Sequence, residues 1–280
     1  MASDAHVHPQ DLLELFPGAE EERRRFRVPC AASAWNREEF EAQERLAKKA
    51  EQDGVAPMAL CFAVHPQLAA SSSAAGSANS AGSTGSDTAA LIRTSLEALE
   101  TLAAENRITA VGETGFDLYN EAFRGTEAVQ EELFRRHLET ALEKDLPLVL
   151  HVRRAMHKIF AYAAELRRLR AVVFHSYPGT LSEGGSLLKR GINAYFSFGN
   201  AILLNHKAAM AACARLPPER LLTETDAPYQ GRRGEPYSHW ADLPLIIRAA
   251  AALRHEAGSP AADPAELEEA VDGNFKRVYG

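Results

Sequence analysis

The amino-acid sequence predicts a TIM (β/α)8 barrel with two extra C-terminal helices. Three observations predict it: eight short β-prone runs alternate with helical stretches, metal-ligand side chains recur at the ends of those runs, and two amphipathic segments remain after the eighth. The runs fall at 4–7, 27–32, 57–64, 108–113, 146–152, 171–175, 192–197 and 220–225. Between them the apolar residues keep helical spacing, as in Leu91, Ser95, Leu99 and Leu102, in Val129, Leu133, Leu138 and Leu142, and in Ile159, Tyr162, Leu166 and Leu169. Thr126 stands before an acidic first turn and Gly191 closes the stretch 182–190, which are end signals for helices. Segments 238–257 and 265–278 read as two further helices, the first with Trp240, Leu243, Ile247 and Leu253 on one face, packed on the barrel wall. An open doubly wound sheet satisfies the same alternation, and the placement of the chemistry-bearing residues favours the barrel.

With 280 residues, 46% of them hydrophobic, the chain can bury one large core, and residues 1–280 read as one barrel domain. The exception is 69–90, almost wholly Ser, Ala, Gly and Thr, which reads as a flexible loop inserted between the third strand and its helix. No apolar run approaches the roughly 20 residues needed to span a bilayer, and no apolar signal core follows Met1, so a soluble, cytoplasmic protein with no membrane partner is expected. Cys30, Cys61 and Cys213 form no close-spaced pair, which predicts neither a disulfide nor a cysteine metal site. A net charge of −7 argues against tight non-specific duplex binding, so any nucleic acid must be gripped locally.

Asp4-Ala5-His6-Val7-His8 is the first candidate site. In an extended strand the period of two puts His6 and His8 on one face, able to reach one ion, with Asp4 on that face to orient the imidazoles from behind. Glu113, His151, His175 and Asp226 each end a later strand, and in a TIM barrel those ends form the face where active sites are built. Burying so many ionisable groups without partners would cost several kcal/mol each, so a shared cation is the economical explanation. Four imidazoles with two carboxylates suit Zn2+ or Mn2+ better than Mg2+, which prefers an all-oxygen shell.

These stretches, with Ala63-Val64-His65-Pro66, Gly112-Glu113-Thr114-Gly115-Phe116-Asp117, Leu150-His151-Val152-Arg153, Phe174-His175-Ser176-Tyr177-Pro178, Phe196-Ser197-Phe198-Gly199, Glu224-Thr225-Asp226-Ala227-Pro228-Tyr229 and Asn274-Phe275-Lys276-Arg277, resemble the TatD-type deoxyribonucleases of the amidohydrolase-like metal-dependent hydrolases. The resemblance runs from end to end of the chain. It implies two divalent metal ions (Zn, Mn or Mg), with His6 and His8 on one, His151 and His175 on the other, Glu113 shared and Asp226 a further ligand. It also implies phosphodiester hydrolysis, with DNA trimmed from its 3′ end. Thr114, Phe116, Tyr177-Pro178, the shortened stretch 231–236 and the insertion at 69–90 depart from the family pattern, and they surround the substrate.

The expected catalytic groups are Asp226, placed to take a proton from the attacking water, and Glu113. His65 resembles a family histidine near the substrate phosphate, although a buried histidine bonded to backbone looks the same in sequence. Arg153 is a candidate for bidentate phosphate binding, with Arg232 and Arg233 in the loop after strand eight as weaker ones. Glu224 faces the same way as Asp226 and reads as a support behind the ligands or as a structural ion pair. Asp117 and Tyr229 carry weaker signals, and His137, His157, His206, His239 and His255 receive no role. The leading expectation is a metal-dependent nuclease acting on DNA ends, with a monomer favoured. The same activated water would attack a carboxylic ester, amide, lactone or aminoacyl ester on tRNA, and a metal-stabilised scaffold without turnover is the third reading.

Overall fold

The computed structural model describes residues 2–70 and 85–280. Eight strands lie in one sheet in chain order, every recorded pairing parallel. They are β1 (Asp4–Val7), β2 (Cys30–Ala34), β3 (Met58–Phe62), β4 (Ala110–Asp117), β5 (Leu148–Arg153), β6 (Val172–Phe174), β7 (Ala194–Phe198) and β8 (Leu221–Thr223). Helices α1 (Pro9–Leu15) and α2 (Ala19–Phe26) follow β1, α3 (Arg37–Gln52) follows β2, and α4 (Gly85–Ala104) follows β3. After β4 come α5 (Glu121–Arg124) and α6 (Glu127–Glu143), after β5 α7 (Met156–Ala161) and α8 (Ala163–Leu166), then α9 (Leu181–Lys189) and α10 (Lys207–Arg215). The two extra helices are α11 (Leu243–Glu256) and α12 (Pro264–Tyr279).

The barrel seam is joined at the top, where the Asp226 N–H donates to His6 O at 3.0 Å and the His8 N–H to Ala227 O at 2.8 Å. Closure therefore uses the backbone of three candidate site residues. At the bottom, α12 sends Phe275, Val278 and Tyr279 into an inner layer of small residues that includes Ala5, Ala31, Cys61 and Ala110. There the Tyr279 hydroxyl donates to Ala5 O at 3.1 Å, and the Asn274 amide bonds Pro218 O and Leu221 O. A larger apolar layer, including Trp240, Leu243 and Ile247, fills the space between sheet and helices.

Several boundaries differ from expectation for identifiable reasons. The second strand starts at Cys30, not at 27, because Arg27 takes a left-handed conformation (φ 51°) to end α2. Strand β4 runs four residues past Glu113, since Gly112 and Gly115 let it press against β5. A Cβ at these positions would fall 2.4 Å from the Val149 Cβ and 2.2 Å from the His151 carbonyl oxygen. The Thr126 hydroxyl does not cap α6; it donates to Phe123 O and accepts from Gln130. The loop expected at 69–90 is ordered at both described ends: Pro66–Ala70 form a 3-10 turn packed on α6 and β4, and α4 begins at Gly85. Residues 71–84 lie outside the described residues.

Two register irregularities set the site. Ala5 belongs to the inner layer and Val7 to the outer, although strict alternation would put them together; the β1–β2 ladder shifts between Asp4 and Val7. Likewise Ala110 is inner and Val111 outer, and the β4–β5 ladder shifts between Val111 and Thr114. Such bulges re-aim side chains, and here they turn His6, His8 and Glu113 inward.

Candidate metal centre

Glu113 is buried in the wall of the barrel-mouth cavity, and its two oxygens face different rings. Oε1 lies 3.3 Å from His6 Nε2 and 3.4 Å from His8 Nε2; the Asp226 Oδ1 lies 3.7 Å from the same two nitrogens. Oε2 lies 3.4 Å from His65 Nε2, 3.3 Å from His151 Nδ1 and 3.5 Å from His175 Nε2. Three overlapping groups have donor atoms within 4.8 Å of one another: His6, His8 and Glu113; His6, His175 and Asp226; His65, Glu113 and His151. The donors fit a divalent cation, because buried imidazole lone pairs and carboxylate oxygens converge on common points.

The grouping departs from the expected one. His151 is grouped with His65, whereas His175 is grouped with His6 and Asp226, its ring centroid 3.9 Å from that of His6. His65, expected near the substrate, thus stands among the candidate donors as well as on the cavity wall. Its Nδ1 accepts from the Gln67 N–H at 3.2 Å, which leaves Nε2 facing Glu113.

Behind the rings lies a layer of polar supports. The Ser33 hydroxyl meets His6 Nδ1 at 3.2 Å. Asp117, fully buried, sets Oδ2 3.2 Å from His151 Nε2 and is itself held by the Gln67 amide at 2.7 Å. Glu224 Oε1 lies 3.2 Å from His175 Nδ1 and accepts from the Ser176 N–H and hydroxyl. Asp4 does not orient the imidazoles as expected. It lies ahead of the β1 irregularity, so its carboxylate accepts from Thr225 and from the His6 N–H instead. Gln230 donates 2.6 Å bonds to both Asp226 Oδ2 and Ser176 Oγ.

The electrostatics suit positive charge. Burial raises the Glu113 carboxyl, but the rings of His65, His6 and His175 and the bond from His151 outweigh it and hold the group well below the usual range. For His8 burial opposes charging, yet Glu113 and Asp226 lift it to about 9; Glu224 and Asp226 lift His175 to about 10 against the same burial. Burial likewise raises Glu224, and His175 more than compensates, holding it at about 2. Four residues after strand ends hold left-handed backbone: Arg154 (φ 56°), Ser176 (φ 42°), Asp226 (φ 53°) and Gln230 (φ 54°), strain of the kind that clusters at functional sites.

The donors open into a cavity of about 950 Å³, whose walls include Trp35, Leu68, Arg153, Tyr177, His206 and Tyr229. His206, passed over in the sequence because it follows no strand, reaches the cavity as the residue before α10. Arg232 is withdrawn from substrate binding: its guanidinium bonds Asp242 at 2.6 Å and faces Glu235. Arg233 does not line the cavity. His239 pairs with Glu22, and His137 is a buried structural ring bonded to Thr114 and the Val64 N–H. Period-two reading of β2 from Ala31 would have found Ser33; nothing local pointed to Gln67 or Gln230.

A parallel eight-stranded barrel with imidazoles and carboxylates able to hold a cation gathered at its C-terminal mouth defines a TIM barrel with a candidate metal centre. The chain belongs to the TatD related DNase family, whose model matches residues 3–280. It is 34% identical over 194 residues to the 3′-5′ ssDNA/RNA exonuclease TatD of Cronobacter sakazakii, covering 65% of this chain and 68% of that one. It is 32% identical over 197 residues to the protein of the same name from Citrobacter rodentium, covering 66% and 70%. In fold it is similar to a TatD homologue of Escherichia coli, with a TM-score of 0.74 at 23% identity over 99% of this chain and 97% of that one. A TatD family hydrolase of Entamoeba histolytica gives 0.74 at 15% over the same shares.

Proposed function

We propose that this chain is a divalent-metal-dependent phosphodiesterase that trims single-stranded DNA or RNA from its 3′ end. The observation that carries the proposal is the division of the Glu113 carboxylate between two sets of donors, with Arg153, which pairs with no carboxylate among the described residues, on the wall of the same cavity. His6, His8, Glu113 and Asp226 would hold one ion and His65, His151 and Glu113 a second, with His175 between them; the nitrogen-rich set suits Zn2+ or Mn2+. Ions so placed lower the pKa of a water and draw negative charge from a phosphoryl oxygen.

The protein's own groups do the rest. Gln230 holds Asp226 by Oδ2, which leaves Oδ1 facing the His6 and His8 rings, where it would meet the ion and accept the proton of the attacking water beside it. Arg153 offers a planar pair of N–H donors to the phosphate next to the broken bond. Asp117, Glu224 and Ser33 keep the rings aimed. Arg153 also favours this reading over a neutral ester, amide or lactone, which has no anion for it to bind. Free, buried Cys30, Cys61 and Cys213 accord with a reducing cytoplasm. Among the described residues no helix is long and apolar enough to cross a membrane.

The test uses metal-loaded protein with oligonucleotides labelled at either end, beside a lactone and an aminoacyl ester. Stepwise shortening of the 3′ end is expected, abolished by chelation and reduced at least about a hundredfold by Glu113→Gln. Undegraded nucleic acid alongside Glu113-dependent turnover of a carboxylic ester would overturn the proposal.

A further inference from the structure

We propose that Tyr119, Arg124 and Arg154 form a second contact for nucleic acid, a cationic lip that holds the phosphates of the strand outside the catalytic cavity. This rests on the phosphodiesterase reading and extends it from a single phosphate to a polymer. The lip is the top of β4 and β5, whose ladder continues to Asp117↔Arg153, and the Leu118 N–H still pairs with Arg153 O at 2.8 Å beyond it. Strand β4 runs six residues past its last pair with β3 (Phe62↔Val111), and β5 three past its last pair with β6 (Leu150↔Phe174), so the two extend beyond the strands on either side.

Tyr119 sits on this projection, 42% exposed, and both neighbouring guanidiniums lie over its ring. The Arg153 Cζ is 3.7 Å from the centroid and the Arg154 Cζ 4.4 Å. Arg154 reaches it through its left-handed backbone (φ 56°), and its Nη1 donates to Tyr119 O at 3.1 Å. From the other side, Arg124 Nη1 lies 3.4 Å from the carbonyls of Leu118 and Tyr119. Three guanidiniums thus converge on two residues, and among the described residues none of them pairs with a carboxylate. In a protein of net charge −7, three guanidiniums gathered around one exposed tyrosine with no carboxylate among them make a cluster that asks for an anion. Arg153 lines the cavity, and the lip begins beside it, so the anion must be continuous with the substrate there. A single-stranded phosphodiester chain meets that demand: repeated phosphates match the row of charges, and guanidinium planes accept stacked bases without regard to sequence.

The lip is also wired to the centre. The Tyr119 N–H donates to Asp117 Oδ1 at 2.9 Å, and the other oxygen of Asp117 faces His151. Its removal must therefore be separated from damage to the donors, which a small substrate does. For Arg154→Ala, Arg124→Ala and the double variant, in metal-loaded protein, hydrolysis of bis(p-nitrophenyl) phosphate should stay within twofold of the parent. Binding of a fluorescent phosphorothioate decathymidylate, read by anisotropy, should weaken about tenfold in the double variant, and the slope of log affinity against log salt should become shallower by about 1.4, near 0.7 for each lost phosphate contact. Arg154→Lys should restore most of the salt slope. An unchanged slope and affinity, or equal losses on the small ester and the oligonucleotide, would overturn the lip. Failure of the nuclease reading looks different: the parent binds the oligonucleotide with the stated salt slope but does not shorten its ordinary phosphodiester counterpart.

Discussion

At Glu113 a single carboxylate is asked to serve two sets of imidazoles, and its position depends on small neighbours and supporting bonds rather than on the strand alone. Gly112 gives β4 its close approach to β5, and His151, one of the rings that Glu113 meets, is held from behind by Asp117. Removing such a support costs about 10- to 100-fold in metal affinity or activity. Asp117→Asn is therefore expected to weaken metal binding by that range in a competition titration with a chromophoric chelator while the urea midpoint changes little; unaltered affinity would remove Asp117 from the site. The rings make a second demand. With His8 lifted to about 9 and His175 to about 10, both carry a proton at pH 7.5 in the metal-free protein, and a cation binds only after these protons leave. Metal affinity should thus rise with pH and fall about tenfold per pH unit for each proton displaced as pH drops below 9. Calorimetry in buffers of different ionisation enthalpy should show proton release, and its absence would mean the rings are neutral before binding.

The elements hold these residues through a few buried polar ties. His137 on α6 accepts the Val64 N–H at 3.1 Å through Nε2, so its Nδ1 carries the hydrogen and donates to Thr114 Oγ1 at 2.6 Å. One ring thereby joins the chain before His65 to the residue after Glu113. Burial holds its pKa down to about 3, far below the usual 6.5. Because the folded value is depressed, the unfolded chain binds the proton first: the stability is complete above pH 6.5 and is lost as pH falls from there towards 3. At pH 5 the loss from this ring is about 2 kcal/mol. His137→Gln should be less stable at pH 7.5 but should lack this part of the acid sensitivity in urea unfolding; an identical pH dependence in both proteins would contradict the assignment. At the other end of the barrel, Asn274→Ala leaves the carbonyls of Pro218 and Leu221 without their donor, and should cost about 2 kcal/mol.

Across the whole molecule, the seam between β8 and β1 is joined by the backbone of His6, His8 and Asp226, so barrel closure and the candidate centre are one feature. A ligand that binds only the folded state at a thousand times its Kd adds about 4 kcal/mol. Complete removal of metal should lower Tm by roughly 10 °C in scanning calorimetry. A transition that does not move, with metal analysis proving removal, would separate closure from the site.

Much of this was legible in sequence. Eight β-prone runs fell on the eight strands, and side chains with ligand chemistry stood where those runs end, because periodicity and side-chain type are properties of a few adjacent residues. What sequence could not supply is the partnership among them. Strict alternation placed Asp4 beside His6 and His8, and only the shifts in the β1 and β4 ladders separated Asp4 from those rings and turned Glu113 inward. Arg232 looked available until Asp242, ten residues on, was found to hold it. His65 moved into the donor set and Gln230 onto Asp226 through contacts between strand ends and loops far apart in the chain. The sequence alone determined that side chains with ligand chemistry stand at the strand ends of a barrel. The tertiary structure decided which donor meets which, since that depends on register and closure, and these are settled by packing across the whole sheet.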